Sequence, residues 1–269
     1  LEPTIDHRIR QLRAGLPAAG IEALLVLVAE NRRYLSGFTG EDTQFDESAG
    51  ALIITSKELL LATDSRYELQ ARREAPDYEV ICYKEGLAKQ LPAIVERLNI
   101  TRLGFESVRL TVEQHEKIQE ELNRAGHSTR LLPVEDLVEK LRMVKDESEV
   151  EKTRNALRLA ESVFTACLPS IRPGTTEKEL AWLMEKGMRE AGAEALSFAT
   201  IVAAGPNSAL PHAVPGDRAI QPGEPILFDW GARLDGYCSD ISRTVILGQP
   251  DSRFEKVFQT VLDAQRFAI

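Results

Sequence analysis

Two aspartates, Asp229 and Asp240, lie in the stretch EPILFDWGARLDGYCSDISRT (Glu224–Thr244). A carboxylate can bind a divalent cation, hold a proton or orient a nucleophile, and two held together constrain each other's charge. Apolar runs flank Arg233-Leu234-Asp235-Gly236, which reads as a β-hairpin with a Gly-containing loop. With those four residues as the loop, facing residues have numbers summing to 469, and Asp229 lies opposite Asp240. Directly opposed residues point to one face with Cβ atoms ~5 Å apart, where like charges repel. A shared proton or a bound cation resolves that repulsion. Asp229 follows Ile226, Leu227 and Phe228, so it is expected to start inside the fold. The alternative is a pair of solvated aspartates beside a turn. Ser242 and Thr244 share the parity of Asp240, so their hydroxyls either orient its carboxylate or are ordinary polar alternation. A third candidate, His212, lies at the edge of the loop that follows Gly205-Pro206-Asn207-Ser208. A lone histidine is usually structural or solvated, which is also the reading for His7, His115 and His127.

Three segments give the chemistry a context: LPHAVPGDR (Leu210–Arg218), QPGEPILFDWG and GYCSDISRT. Together they resemble the Xaa-Pro aminopeptidases and prolidases, metallopeptidases with the pita-bread fold. That family pattern has a His ahead of a Gly-Asp turn, an Asp-x-Gly strand and a Gly-Tyr-x-x-Asp-Ile-x-Arg-Thr strand. The resemblance implies that Asp229 and Asp240 are the first two ligands of a dinuclear site for Mn²⁺, Co²⁺ or Zn²⁺. It also implies that His212 is the catalytic histidine near the substrate, stabilising the transition state or moving a proton. The implied substrate is a peptide with proline at the second position. Proline removes the amide hydrogen and restricts the residue before it, so such bonds need a dedicated site.

The elements that must position these groups begin with the chain as a whole. Its 269 residues suit one large or two ordinary domains, and 43% hydrophobic residues allow a substantial core. A net charge of −9 argues against a nucleic-acid surface. No apolar run approaches a membrane span, and LEPTIDHRIRQL has no signal-peptide profile. Leu1-Glu2, without an initiating Met, suits a processed or truncated end. Cys82, Cys167 and Cys238 are odd in number and lack metal-ligand spacing, so a reduced, cytoplasmic protein is expected.

Residues 6–20 have helical spacing, and Ala23–Val28 is a short apolar run suited to a buried strand. Asn31–Gly40 reads as a loop with two glycines. Ala49–Thr55 and Leu59–Ala62 read as a hairpin, and Thr63-Asp64-Ser65 as the N-cap of a helix from Arg66. Strand candidates Tyr78–Tyr83, Leu103–Glu106 and Thr129–Leu132 alternate with helices at Leu87–Leu98 and Thr111–Ala125, which implies an α/β domain. NRRYLSGFTG, SAGALIIT and TDSRYELQA look like the creatinase-like N-terminal domain of the same family, which lines the cleft and contributes to a homodimer in relatives. Arg32, Arg33 and Tyr34 are either a surface loop or a functional contact across such an interface. The predicted organisation is therefore a creatinase-like domain over 1–132 and part of an α+β pita-bread domain over 133–269. In the second part, Glu147–Ile171 is amphipathic, and Thr176 with Glu179 suggests a capping box for a helix to about Ala191. Ser197–Ala204 reads as a strand, Trp182 and Met184 as core or interface packing, and Phe254–Ile269 as a helix.

The family's remaining ligands, one His and two Glu, are expected downstream of the hairpin and its following helix. No histidine follows His212, and Glu255 and Asp263 lack the family's ligand context. The chain is therefore expected to be an incomplete, inactive piece of an Xaa-Pro aminopeptidase. An Xaa-Pro dipeptidase is the alternative within the family. A metal-free creatinase-like amidinohydrolase is opposed by the paired aspartates. A non-catalytic binding module is opposed by the intact first ligands, and a methionine aminopeptidase by the domain over residues 1–132.

Overall fold

The computed structural model describes residues 5–42 and 47–269, so Leu1 and Glu2 lie outside the described residues. The chain divides into two compact units, Leu1–Asp146 and Glu147–Ile269. The first carries α1 (Ile5–Gly15), β1 (Ala23–Val26), α2 (Ala29–Ser36), β2 (Ala51–Thr55), β3 (Leu59–Thr63) and α3 (Glu68–Glu74). It continues through β4 (Glu79–Cys82), α4 (Leu87–Leu98), β5 (Arg102–Glu106), α5 (Val112–Arg124), β6 (Arg130–Val134) and α6 (Glu139–Met143). Six strands form one mixed sheet in the order β4-β3-β2-β1-β5-β6. The apolar run at β1 is buried at every position because both faces of the sheet are covered. Ile9 and Leu12 of α1 pack on one face with Leu24, Val26 and Leu52. Leu91 and Ile94 of α4 and Ile118 of α5 pack on the other with Leu25, Ile53 and Leu103. Each such side chain contributes about 1.5–3 kcal/mol relative to exposure. This is the α/β architecture expected of the first half.

Three expectations change. Residues 29–36 form a helix and not a loop. Its N-cap, Val28, makes no side-chain cap bond. Instead the Glu106 carboxylate accepts the Leu27 and Val28 amides at 2.6 Å and the Asn31 side chain at 2.6 Å. Arg32 is fully buried, bonded to Asp42, to the Leu27 and Gly40 carbonyls and to Ser48. It therefore serves the fold, and the surface-loop and interface readings of that residue both fail. The helix expected from Arg66 starts at Glu68, because Asp64 accepts the Arg66 amide in a turn instead of capping. The unit also runs past residue 132: β6 continues to Val134, and Leu137, Val138 and Leu141 pack into the first core.

The second unit carries α7 (Glu147–Cys167), α8 (Glu177–Glu190), β7 (Ala195–Leu196), β8 (Ile201–Ala204), β9 (Pro225–Trp230), β10 (Ala232–Leu234), β11 (Tyr237–Cys238), β12 (Ile241–Ile246) and α9 (Ser252–Ala268). Two three-stranded sheets have orders β12-β9-β8 and β11-β10-β7. Along β9, Ile226, Phe228 and Trp230 are buried while Leu227 and Asp229 face the other way, half-buried. Phe164 of α7 stacks on Trp230 with centroids 4.7 Å apart, and the Trp230 indole donates to the Ala160 carbonyl at 3.0 Å. Thr176 and Glu179 close the expected capping box on α8. Met184 is core, whereas Trp182 is exposed. Helix α9 buries no residue and presents Val257, Phe258 and Val261 outward.

Candidate metal and peptide site

The hairpin turn sets the geometry of the aspartates. Leu234 pairs with Tyr237 and Arg233 with Cys238, which leaves only Asp235 and Gly236 in the loop. Both have positive φ, 52° and 78°, the backbone of a type I′ turn. Pairing is therefore shifted from the four-residue-loop expectation, and Asp229 faces Ser242, not Asp240. The Asp-Gly dipeptide is itself the sequence signal for a two-residue turn, and it identifies this register.

The shift changes the electrostatics. Asp240 lies just outside the last β9–β12 pair, Trp230 with Ile241, and is diagonal to Asp229. Diagonal residues across antiparallel strands stand about 7–8 Å apart, so the direct repulsion that called for a cation is relieved. Asp229 is half-buried, on the opposite face from Phe228 and Trp230, and Asp240 is exposed, so neither starts deep in the core. The Ser242 hydroxyl donates to Asp229 Oδ1 at 3.1 Å. A hydroxyl thus orients a carboxylate as parity suggested, but that carboxylate is Asp229.

Between the aspartates the hairpin passes from one sheet to the other. Gly231 makes the crossing: a Cβ there would lie 1.9 Å from the Ser239 carbonyl oxygen. The Ser239 amide donates to Ala232 O at 2.9 Å, the Ala232 amide donates to the Ser239 hydroxyl at 3.0 Å, and that hydroxyl donates to Ala156 O at 3.2 Å. Ser239 is buried and fixes the backbone immediately before Asp240.

His212 is exposed, on the long loop that leaves the Ala204 end of β8. Ile201, at the other end of β8, pairs with Asp229, so that loop starts about 10 Å along the sheet from the aspartate. Among the described residues, His212 makes no hydrogen bond to either aspartate. A residue missed by motif reading holds this loop: Glu177, buried at the start of α8, accepts from Ala204 N, Asn207 Nδ2 and Gly216 N at 2.7, 2.9 and 3.0 Å. Arg218 adds a bond to the Ala204 carbonyl at 3.0 Å and an ion pair with Glu224 at 2.6 Å.

The chemistry available to the described residues is limited. Two carboxylates, one hydroxyl-anchored, suit a hard or borderline divalent cation. No group of three or more His, Cys, Asp or Glu among the described residues is placed to hold a metal ion. Two carboxylates fall short of the donor number that two ions require, so these residues alone do not complete a dinuclear centre.

Comparison with known proteins gives a consistent picture. Residues 151–269 match the model of metallopeptidase family M24, and residues 8–144 match the creatinase/prolidase N-terminal domain. The chain is 35% identical over 262 residues to the Uncharacterized peptidase YqhT of Bacillus subtilis (strain 168), covering 97% of this chain and 71% of that protein. Among solved structures, an Xaa-Pro dipeptidase from Bacillus anthracis superposes with TM-score 0.89 at 35% identity, over 97% of this chain and 70% of the other. An X-Pro aminopeptidase from Thermotoga maritima MSB8 does so with TM-score 0.81 at 37% identity, over 92% of this chain and 68% of the other.

Proposed function

The chain belongs to metallopeptidase family M24, with that family's creatinase/prolidase N-terminal domain ahead of its peptidase unit, and from that premise we propose hydrolysis of the peptide bond before proline. The observation that carries this reading is the match across both units to two proteins whose names specify Xaa-Pro cleavage. We assign Asp229 and Asp240 as metal ligands and His212 as the catalytic histidine. Bound metal would supply Lewis-acid polarisation of the scissile carbonyl and of water. Ser242 holds the Asp229 carboxylate in one orientation, and Ser239 fixes the backbone that presents Asp240. His212 is exposed, and its imidazole, which can both accept and donate a proton, is suited to move one at the substrate. Because the described residues do not complete the metal centre, the reading includes that this chain alone is inactive.

Aminopeptidase action is the first reading. Dipeptidase action is the second, favoured by the names of the Bacillus anthracis structure and of a Pyrococcus horikoshii relative that is 27% identical over 98% of this chain. A homodimer and a reducing, cytoplasmic setting complete the proposal; Cys82, Cys167 and Cys238 are all free thiols. Among the described residues no helix is long and apolar enough to cross a membrane.

Mn²⁺ titration followed by paramagnetic broadening of amide NMR signals tests the ligand assignment even where binding is weak. Signals at Asp229 and across 238–242 should broaden first, and Asp229→Ala should abolish the effect. Broadening that begins elsewhere overturns the assignment. Cleavage of Ala-Pro-Ala by the isolated chain overturns its inactivity. In an active longer product, cleavage of Ala-Pro-Ala supports the aminopeptidase reading and cleavage of Ala-Pro alone the dipeptidase reading. Equal cleavage of Ala-Ala-Ala overturns both.

A further inference from the structure

We propose that Glu177 is a positioning residue for His212, a role that rests on the proposed part of that histidine in catalysis. Glu177 is only 1% exposed, at the first residue of α8, yet it carries a carboxylate. Burying a charge is costly unless it is satisfied, and here three N–H donors satisfy it. The donors come from Ala204, where β8 ends, from Asn207 in the first turn of the loop, and from Gly216 where the loop returns. His212 lies between the second and third of these anchor points.

Backbone contacts extend the same clamp. The Glu177 amide donates to Arg218 O and the Lys178 amide to Gly216 O, each at 3.1 Å, and Thr176 bridges Ala219. One side chain therefore fixes both ends of the loop against the start of one helix, where the helix dipole favours a negative charge. Inside the loop the restraints are local: a 3₁₀ turn over Gly205–Ala209, the Leu210 amide donating to Asn207 O at 3.0 Å, the Ala213 amide donating to Leu210 O at 3.3 Å, and the buried Ala213 side chain. The path of the backbone through His212 is thus set by these local restraints between anchored ends. An apolar side chain at position 177 could fill the same space, but it could not collect three donors from separate parts of one loop.

Hydrogen exchange by mass spectrometry and histidine ring NMR on the full chain test this, using Glu177→Ala and Glu177→Gln. Loss of hydrogen bonds to a charged acceptor should speed exchange across 204–216 by about tenfold or more in Glu177→Ala, with α7 unchanged. Glu177→Gln should fall between, because its amide group keeps an acceptor but sets donors against donors. The ring signal of His212 should shift or broaden in both variants while those of His7, His115 and His127 in the first unit hold, and unchanged exchange across α7 separates this from general loosening of the second unit. If Glu177→Ala does not fold, the Gln variant carries the test. Unchanged exchange over 204–216, or an unmoved His212 signal, overturns the inference. His212→Gln in an active longer product separates the two claims. Full activity there sinks the catalytic reading while the clamp stands. Lost activity with unmoved ring signals in the Glu177 variants sinks the clamp while the reading stands.

Discussion

Gly231→Ala should destabilise the second unit severely and disturb Asp240 without altering any proposed ligand. The new Cβ would lie 1.9 Å from the Ser239 carbonyl oxygen, against the 3.0 Å below which Cβ contacts essentially do not occur, and 2.8 Å from the Ser197 hydroxyl. The nearest obstacle is backbone, so no side-chain rotation relieves the clash. Ser239 must move by more than 1 Å, which breaks three hydrogen bonds: its amide to Ala232 O, the Ala232 amide to its hydroxyl, and its hydroxyl to Ala156 O. At about 1 kcal/mol each the loss is about 3 kcal/mol, or ~10 °C in melting temperature for a unit of this size. Gly248→Ala is the matched control. Its φ of 96° imposes backbone strain, but nothing lies within 4 Å of the added carbon, so the cost should stay at about 1 kcal/mol. Thermal unfolding followed by circular dichroism compares the two, and Mn²⁺ broadening at Asp240 should weaken in Gly231→Ala alone. A Gly231→Ala protein that melts no lower than Gly248→Ala refutes the reasoning.

In the first unit, Arg32→Met should cost about 2–4 kcal/mol by urea denaturation, because it leaves two buried carbonyls without their donor and removes the nearer of two cations from Asp42, which keeps Arg109 and the Ala49 amide. A change below 1 kcal/mol would show that the network contributes little. Two carboxylates give this unit opposing pH responses. Burial raises the Glu106 pKa above the usual 4.5, against the lowering effect of the Val28 amide and the Asn31 side chain. Its contribution to stability is therefore fully present below the ordinary glutamate value and is lost as pH rises through the raised one. Burial also pushes Asp42 upward, but the Arg32 side chain and the Ala49 amide outweigh it and the net shift is downward from 3.8. That contribution is present above the ordinary aspartate value and is lost as pH falls through the lowered one. Urea midpoints measured against pH should lose the Glu106 component in Glu106→Gln, and an unchanged profile in that variant counts against the assignment.

What the sequence disclosed follows the range of the interactions involved. The strand at Ala23–Val26 was legible because burial on both faces writes itself as an unbroken apolar run. The capping box of Thr176 and Glu179 was legible because its partners are three residues apart. Helix α2 was not, since the carboxylate that serves its first turn comes from Glu106, 79 residues beyond Leu27. The aspartates were found by motif, yet their mutual placement was missed by treating four residues as loop where Asp235 and Gly236 suffice. Glu177 carried no local mark at all, because its three partners lie 27 to 39 residues further along the chain.

The two-residue turn also acts as a length gauge for the whole unit. Every pair from Leu234–Tyr237 down to Pro225–Ile246 is counted from that point. One residue added on the β10 side, with the two-residue loop kept, would bring Arg243 opposite Asp229 in place of Ser242, exchanging a neutral hydroxyl donor for a cation and turning each side chain of β12 to the other face. A substitution outside Gly231, Asp235 and Gly236 changes one contact, whereas a shift of register changes every pair at once. Relatives should therefore keep the length of this hairpin even where its open positions, such as Leu234, differ.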